Sequence, residues 1–375
     1  MEFSQLWTEL VKGLAHFTLG NALMILIGAV LMALAIIKEY EPVLLLPIGF
    51  GCILANIPLT GMTEGMGLFA VLYKAGISTE LFPLLIFVGV GAMIDFSPLL
   101  AQPKMVLLGA AGQFGIFGTL LLATLLGFPL NQAASIGVIG AIDGPTSIFV
   151  ATKLAPEMLA PIAVAAYSYM SLIPIIQPPI MRLLTTKEER RIRMEYAPRP
   201  VSRRILVLFP IVIPLITGLL VPDATPLISM LMLGNLLRES GVVDRLRKAA
   251  ENEIINVATL FLGLTIGSTM SASSFLNWQT VMVLALGLLA FVLDTVAGLL
   301  FGKLMSVLSG RKINPLIGAA GISAFPMAGR LAAKMAQEED FENFILMHAM
   351  GANTAGQLGS VLAGGVLLAL VSGLM

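Results

Sequence analysis

The sequence predicts an all-α, polytopic membrane protein with a transporter-like architecture. Of its 375 residues, 57% are hydrophobic and only 12% are charged, and the mean hydropathy is +0.94. No ordinary soluble class has that composition. The apolar runs are long enough to cross a bilayer: residues 105–128 contain only Gln113, Thr119 and Thr124 as polar breaks. Strand-like alternation is absent, so the spans are predicted to be helices.

The apolar runs predict about ten spans and two broken or re-entrant helices. The spans are predicted at residues 20–37, 43–59, 80–97, 105–128, 157–181, 204–221, 225–237, 254–270, 279–302 and 342–372. Residues 134–153 and 314–336 are richer in glycine and proline, which interrupt helices. We expect these two segments to be broken helices that need not cross the membrane.

A shift of 181 residues relates the two broken segments and predicts an internal repeat. The shift places Gly137, Gly140, Pro145, Ala151, Lys153 and Ala155 on Gly318, Gly321, Pro326, Ala332, Lys334 and Ala336. In the span count the two segments hang from opposite sides, which predicts inverted repeats. The predicted division is an N-terminal span (1–42), a first repeat (43–182), a basic cytoplasmic loop with a linking span (183–221) and a second repeat (222–375).

Charge sets the predicted orientation and excludes several functions. The segments 182–204 and 238–248 are rich in arginine and lysine, so the positive-inside rule makes both cytoplasmic. The formal net charge is zero and no large basic block occurs, which argues against nucleic acid as a partner. The single cysteine, Cys52, excludes a disulfide within the chain. No nucleotide-binding or redox motif is present.

Asp143 is a carboxylate inside a long apolar stretch, beside Gly144 and Pro145. A charge at the centre of a membrane helix costs ~2.5–3.5 kcal/mol on insertion scales, so such residues are usually functional. Glycine and proline break the helix there and free backbone carbonyls to line a site. A carboxylate, the Thr146 hydroxyl and free carbonyls suit a hard cation such as Na⁺, or a proton. Asp143 is therefore predicted to bind the transported ion.

The second broken segment and the last span carry further oxygen ligands beside glycines. Asn314, Gly318 and Ser323 lie in the former, and Asn353 lies in the latter. These residues are candidates for an Na⁺ site. The alternative is structural: Asn and Ser join helices by hydrogen bonds while Gly permits close packing.

Four other residues have two open interpretations each. Tyr169 and Tyr167 can relay a proton or anchor the chain at a membrane interface; the sequence favours the interface for Tyr167 and leaves Tyr169 open. Asp294 is a second buried acid, with a role in transport or in a structural hydrogen bond. Arg330 can receive an anionic substrate or extend its charge to the interface.

These motifs resemble the β subunit of sodium-pumping, biotin-dependent decarboxylases, the oxaloacetate, methylmalonyl-CoA and glutaconyl-CoA decarboxylases. The resemblance covers the chain from about residue 20 to its end. The motifs that carry it are Gly140-Ala141-Ile142-Asp143-Gly144-Pro145-Thr146, Tyr169 with Gln177-Pro178-Pro179, Asn314-Pro315-Leu316-Ile317-Gly318, Ser323 and Arg330.

The resemblance implies a mechanism. A biotin carrier subunit brings carboxybiotin to the cytoplasmic side, where this chain decarboxylates it, consumes a proton and exports Na⁺. Asp143 would bind Na⁺, and Asn314, Gly318, Ser323 and Asn353 would form Na⁺ sites or their backbone. Tyr169 would take part in coupled proton or Na⁺ movement.

The resemblance also implies roles for the substrate and the partners. Arg330 would handle carboxybiotin or transfer a proton. The implied partners are a carboxyltransferase subunit, a biotin carrier subunit and a small membrane-anchoring subunit, with this chain as a homo-oligomer in a bacterial or archaeal cytoplasmic membrane. The alternative is a stand-alone Na⁺-coupled carrier or Na⁺/H⁺ antiporter, which composition and repeats fit equally well.

Overall fold

A computed structural model describes residues 11–195 and 200–374. Residues 1–10 of the predicted N-terminal span, residues 196–199 of the predicted basic loop and residue 375 of the predicted second repeat lie outside the described residues. The described part of the chain consists of helices and their connections, without a strand. The predicted all-α class is therefore confirmed.

The helices vary widely in length. In chain order the α-helices are α1 (Lys12–Ala15), α2 (Leu19–Ile37), α3 (Pro42–Ala55), α4 (Leu68–Leu72), α5 (Leu81–Met93), α6 (Ser97–Ala101), α7 (Met105–Ala111), α8 (Phe114–Leu125), α9 (Leu130–Gly137), α10 (Gly144–Leu154), α11 (Leu159–Leu184), α12 (Lys187–Arg190), α13 (Arg203–Leu220), α14 (Thr225–Ser240), α15 (Asp244–Ala249), α16 (Ile255–Ser268), α17 (Ala272–Phe275), α18 (Trp278–Leu308), α19 (Leu316–Ala319), α20 (Met327–Glu339) and α21 (Leu346–Leu374). Segments Val138–Ala141, Pro156–Met158 and Pro222–Ala224 are 3₁₀-helical, and Tyr73–Ile77 and Ala250–Ile254 are π-helical.

Six helical stretches of the described residues are long and apolar enough to cross a membrane. They are Leu19–Ile37, Met105–Leu125, Pro156–Leu184, Arg203–Leu220, Trp278–Leu308 and Leu346–Leu374. A seventh results if Leu68–Ile77 and Leu81–Met93, bent by 59°, form one span. The other predicted spans correspond to helices of 13 to 16 residues, α3, α5, α14 and α16. The chain is thus a multi-pass membrane protein, and the number of about ten spans stays a prediction.

Helices α3 and α16 run side by side in the same direction. A Cβ at Gly51 would clash with the main chain of Leu264, so the two backbones are in contact. Small residues permit this close approach between membrane helices. Farther along, the Asn56 amide donates to the main-chain oxygen of Met270 over 2.7 Å. The parallel course brings Glu41, which precedes α3, near the start of α16.

Both predicted broken segments are interrupted, and their interruptions touch. The first has Ile142 in a left-handed conformation (φ 53°), followed by Asp143, which caps the N-terminus of α10. The second lies between α19 and α20 and contains a cis Phe325-Pro326 bond. The Ser323 amide donates to the Ala141 carbonyl over 3.3 Å. The two breaks therefore meet through the main chain.

Two polar residues related by the 181-residue shift contact the opposite breaks. The Gln113 side-chain amide donates to the carbonyl of Gly321 over 3.4 Å. Asp294 lies against Gly140, where a Cβ would come within 2.9 Å of Oδ2, and it accepts from the Gly115 amide. Gly321 and Gly140 are themselves related by the shift. This reciprocity is the arrangement that two interlocked repeats would produce.

The basic segments lie on one face of the protein. Arg203, at the start of α13, donates to the Ser240 carbonyl at the end of α14 over 2.8 Å. At the end of α12, Arg190 binds Glu339 at the end of α20, with Nε and Oε1 2.9 Å apart. Arg193 binds Asp340 over 2.7 Å. Helix α20, which follows the second break, is thus fixed at its far end by ion pairs.

Candidate functional site

The side chain of Asp143 is held by three donors from two helices. Its Oδ2 accepts from Thr146 Oγ1 at 2.8 Å, Gln357 Nε2 at 2.9 Å and Ser360 Oγ at 2.9 Å. Its Oδ1 accepts only a long bond, 3.4 Å, from the Thr146 amide. No lysine or arginine within residues 11–195 and 200–374 pairs with it, and it is only 6% exposed. The carboxyl is therefore oriented by neutral donors, with lone pairs of Oδ1 left for a cation or a proton.

The local sequence explains this position. The left-handed backbone at Ile142 ends the preceding 3₁₀ turn, and it is rare for a β-branched residue. Asp143 then takes the extended N-cap conformation, with Pro145 in the first turn of α10, where a missing N–H costs nothing. Strained residues of this kind cluster at functional sites, where the surroundings hold them.

A cavity of about 640 Å³ has Asp143, Ser323 and Arg330 in its wall. Its other lining residues are Glu41, Val43, Leu44, Ile86, Val90, Met93, Asp95, Pro98, Ile142, Gly144, Pro145, Tyr167, Met170, Ile255, Asn256, Thr259, Phe325, Pro326, Met347, Met350 and Gln357. This volume is within the range of small-molecule sites, and most of the lining is apolar with a few polar groups. The cavity therefore joins the predicted ion ligand to the predicted anion-binding arginine.

The guanidinium of Arg330 is available for an anion. Arg330 is an exposed residue that lines the cavity, and it forms no ion pair within the described residues. Guanidinium groups bind carboxylates through paired hydrogen bonds. Arg330 lies in the first turn of α20, four residues after Pro326, whose preceding peptide bond is cis.

Helix α21 places unsatisfied buried oxygens next to the second break. The Asn353 amide donates to the Ile322 carbonyl over 2.7 Å, and the Ser323 hydroxyl donates to the Gly356 carbonyl over 3.2 Å. Asn353 Oδ1 and Thr354 Oγ1 are buried without a hydrogen-bond partner in the described part of the chain. Buried oxygens normally have partners. Oxygens of this kind match the ligand preference of a hard cation.

Four of the predicted site residues, Tyr169, Asn314, Gly318 and Asn353, are not part of the cavity lining. The Tyr169 hydroxyl donates to the Leu284 carbonyl on α18. Gly318 packs so closely on Gly298 that a Cβ would clash with its carbonyl. Asn314 donates to the carbonyls of Arg190 and Ile192 at 2.9 Å each. The structure thus brings together Asp143, Ser323 and Arg330, with Asn353 behind Ser323.

The oxygen of the Asn314 amide is also occupied, because Oδ1 accepts from the Leu316 amide over 3.0 Å. Its side chain therefore ties the turn before α19 to the loop after α12, away from Asp143. Asp294 lies by the first break and Tyr167 lines the cavity, which places both unassigned residues beside the predicted machinery.

The sequence analysis did not assign two of the hydrogen-bond donors to Asp143. Gln357 and Ser360 lie in the polar opening of the last span, four and seven residues after Asn353. That spacing puts all three on one helical face. This spacing could have indicated that one face of α21 points at Asp143. Glu41 carried no such signal, because it reaches the cavity from a loop remote in sequence.

Comparisons with known proteins all indicate the same family. A family model described as "Na⁺-transporting oxaloacetate decarboxylase beta subunit" matches residues 20–371. The chain is 55% identical to the methylmalonyl-CoA decarboxylase subunit beta of Veillonella parvula and 54% identical to the glutaconyl-CoA decarboxylase subunit beta of Acidaminococcus fermentans, with 96% of both chains covered in each case. It is 48% identical to the oxaloacetate decarboxylase beta chain of Klebsiella pneumoniae, over 95% of this chain and 96% of the relative.

Proposed function

Because this chain belongs to the family of β subunits of Na⁺-transporting decarboxylases, we propose that it couples decarboxylation of carboxybiotin, carried by a partner subunit, to Na⁺ export. In this scheme the reaction consumes one proton. The family favours this function over that of a stand-alone Na⁺ carrier or Na⁺/H⁺ antiporter, which the composition alone does not separate from it.

One observation carries the proposal: Asp143 and Arg330 line the same cavity. A cation ligand and an anion receptor in one enclosed space let the occupancy of one influence the other. Such coupling requires that each ligand bind one conformational state better than the other. The size and largely apolar lining of the cavity fit the ring of biotin, and Arg330 fits its carboxylate.

The residues then take distinct roles. Asp143 is the charged Na⁺ ligand, and Ser323 and Asn353 contribute oxygens or hold the backbone that does. Arg330 binds the carboxyl group of carboxybiotin, which supplies the labile N–CO₂⁻ bond. Asn314 and Gly318 act as positioning residues for the second break.

Tyr169 is the last of the predicted residues, and its hydroxyl joins α11 to α18. We propose that it transmits movement between these helices during coupled proton or Na⁺ transfer. The inverted repeats belong to the same proposal, and the paired contacts of Gln113 and Asp294 support them. Rocking of one repeat against the other would expose the site to each side in turn.

The energetics are consistent with this coupling. Moving one Na⁺ outward against 100 mV costs ~2.3 kcal/mol before the concentration term. The partners that deliver this energy would be a carboxyltransferase subunit, a biotin carrier subunit and a small membrane-anchoring subunit, in the cytoplasmic (inner) membrane, with this chain as a homo-oligomer.

The test uses the native complex, captured on avidin and reconstituted in vesicles. We expect the chain to co-purify with a biotinylated subunit and the vesicles to take up ²²Na⁺ during decarboxylation. Asp143→Asn should abolish both activities while the chain stays inserted and assembled. The matched control is Asp223→Asn, at an exposed carboxyl outside the cavity. Full Na⁺-dependent activity in Asp143→Asn would contradict the assignment.

A further inference from the structure

Glu41 is an ionisable residue of the cavity that has no role in the scheme above. It lies in the connection between α2 and α3 and lines the same space as Asp143 and Arg330. Its backbone is left-handed (φ 38°, ψ 58°), a conformation that is strained for a non-glycine residue. Its side chain makes no hydrogen bond or ion pair within residues 11–195 and 200–374. The fold therefore holds an unpaired carboxyl in the substrate space.

A second glutamate shows that a left-handed glutamate before a helix is not necessarily unpaired. Glu80 precedes α5 with the same left-handed backbone (φ 62°), but it lies outside the cavity and pairs with Lys153 over 3.0 Å. Asp95, another carboxyl of the cavity wall, accepts from the Ser97 amide at the start of α6 over 2.8 Å. Of these three carboxyls, only that of Glu41 lacks a structural partner.

The surroundings of Glu41 favour its neutral form. Burial raises the pKa of the Glu41 carboxyl above its ordinary value. The ionisable groups that share the cavity with it are Asp95, Asp143, Tyr167 and Arg330. Helices α2 and α16, which pack on α3, contain no ionisable residue.

Asp143 and Glu41 are suited to different tasks. Three side-chain donors stabilise a carboxylate at Asp143, whereas no donor does so at Glu41. Two carboxyls in unlike environments are the usual arrangement of an acid and a charged group in one site. The buried Tyr167 hydroxyl lies within electrostatic range of both and has no hydrogen-bond partner in the described residues.

We propose that Glu41 is the general acid that supplies the proton consumed in the decarboxylation of carboxybiotin. The inference rests on the proposed function. The N–C bond breaks, CO₂ leaves, and the electron pair stays on the ureido nitrogen. That nitrogen takes the proton of the Glu41 carboxyl and becomes N–H. The resulting Glu41 carboxylate regains a proton from water at the cavity mouth.

The test compares Glu41→Gln, Glu41→Asp and the matched control Glu80→Gln in the assembled complex. General acid catalysis contributes roughly 10²–10⁴-fold, so we expect Glu41→Gln to lose a comparable factor in decarboxylation rate. The Na⁺ concentration for half activity should stay unchanged. Glu41→Asp should recover part of the rate, and Glu80→Gln should keep the wild-type rate.

Two readouts separate an acid from a structural residue. The wild-type rate should fall as the pH rises through the Glu41 pKa, because only the protonated form donates. Infrared difference spectra should contain a protonated-carboxyl band that titrates with the same pKa, is absent in Glu41→Gln and shifts in Glu41→Asp. If Glu41→Gln does not assemble, this band in the wild type and in Glu41→Asp decides the question.

The outcomes distinguish this inference from its premise. A wild-type complex without Na⁺-dependent decarboxylation overturns both. A working wild type with an unchanged rate in Glu41→Gln, or without a band that titrates with Glu41, overturns the inference alone.

Discussion

The hydroxyl of Ser360 donates to Oδ2 of Asp143 over 2.9 Å, so α21 completes the environment of the carboxyl at the first break. Gln357, one turn earlier, binds the same oxygen. The most buried acid of the cavity is therefore oriented from a helix more than 200 residues away in the chain. The ion affinity that we propose for Asp143 should depend on that helix.

Removal of either donor should weaken Na⁺ binding. Mutation of a residue that hydrogen-bonds to a metal ligand typically lowers the metal affinity by about 10–100-fold. We expect Ser360→Ala and Gln357→Ala to raise the Na⁺ concentration for half-maximal decarboxylation by such a factor. The control is Ser135→Ala, a buried serine whose hydroxyl bonds, among the described residues, only to Asn131 within α9. An unchanged Na⁺ requirement in both variants would separate these donors from the ion site.

Ser323 and Asn353 give a second test at the other break. Asn353 holds the Ile322 carbonyl and leaves Oδ1 unpaired. We expect Asn353→Ala to raise the Na⁺ requirement more than Ser323→Ala, because it removes both a ligand oxygen and a backbone support. Reconstituted vesicles with ²²Na⁺ uptake measure this order, and identical uptake curves for Asn353→Ala and the wild type would exclude Asn353.

Gly318 tests the packing around the second break. A Cβ at this position would clash with the Gly298 carbonyl, and overpacking typically costs about 1–3 kcal/mol. Gly318→Ala should therefore lower the thermal stability of the solubilised chain. The control is Gly118→Ala, also in a membrane helix, where the nearest side-chain atom lies 3.5 Å away. Equal melting temperatures for the two variants would contradict the tight packing at Gly318.

The ion pairs at the end of α20 predict an acid-sensitive stability. The Arg190 hydrogen bond lowers the pKa of Glu339, and the Arg193 hydrogen bond lowers the pKa of Asp340. A lowered folded-state pKa stabilises the fold above the unfolded pKa, about 4 for these groups, and the contribution is lost as the pH falls through the folded value.

Melting curves of the solubilised chain between neutral pH and pH 3 measure this loss. Glu339→Gln should flatten the fall in melting temperature at low pH, whereas Asp223→Asn, an exposed carboxyl without an ion pair in the described residues, should not. A fall as steep in Glu339→Gln as in the wild type would show that the loss has another origin.

Hydrophobicity alone predicted the long spans well. The predicted spans 20–37 and 204–221 match Leu19–Ile37 and Arg203–Leu220 to within one residue at each end. An uncharged run of that length has few alternatives to a membrane helix. The interruption at residues 112–113, between α7 and α8, was not predicted; there the Gln113 side-chain amide donates to the Gly321 carbonyl of the second break.

The site was predictable where its signals are local. Glycine and proline around Asp143 and Ser323 gave the positions of both breaks. The partners of Asp143 on α21 and the cavity position of Glu41 depend on contacts distant in sequence, so residue type alone did not assign them. Asn314 shows the opposite limit: this polar residue, four positions before Gly318, has its hydrogen bonds satisfied by the following turn and by carbonyls at and after the end of α12.

Helix α21 is hydrogen-bonded to both interruptions: Ser360 and Gln357 bind Asp143 at the first, and Asn353 binds the Ile322 carbonyl at the second. Because α21 is bonded to both interruptions, neither interruption can move independently of the other. Any conformational change that opens one interruption must therefore bend or displace α21, or break its hydrogen bonds to that interruption. A rigid crosslink that immobilises α21 should therefore stop the proposed Na⁺ transport while the residues of both interruptions remain chemically intact.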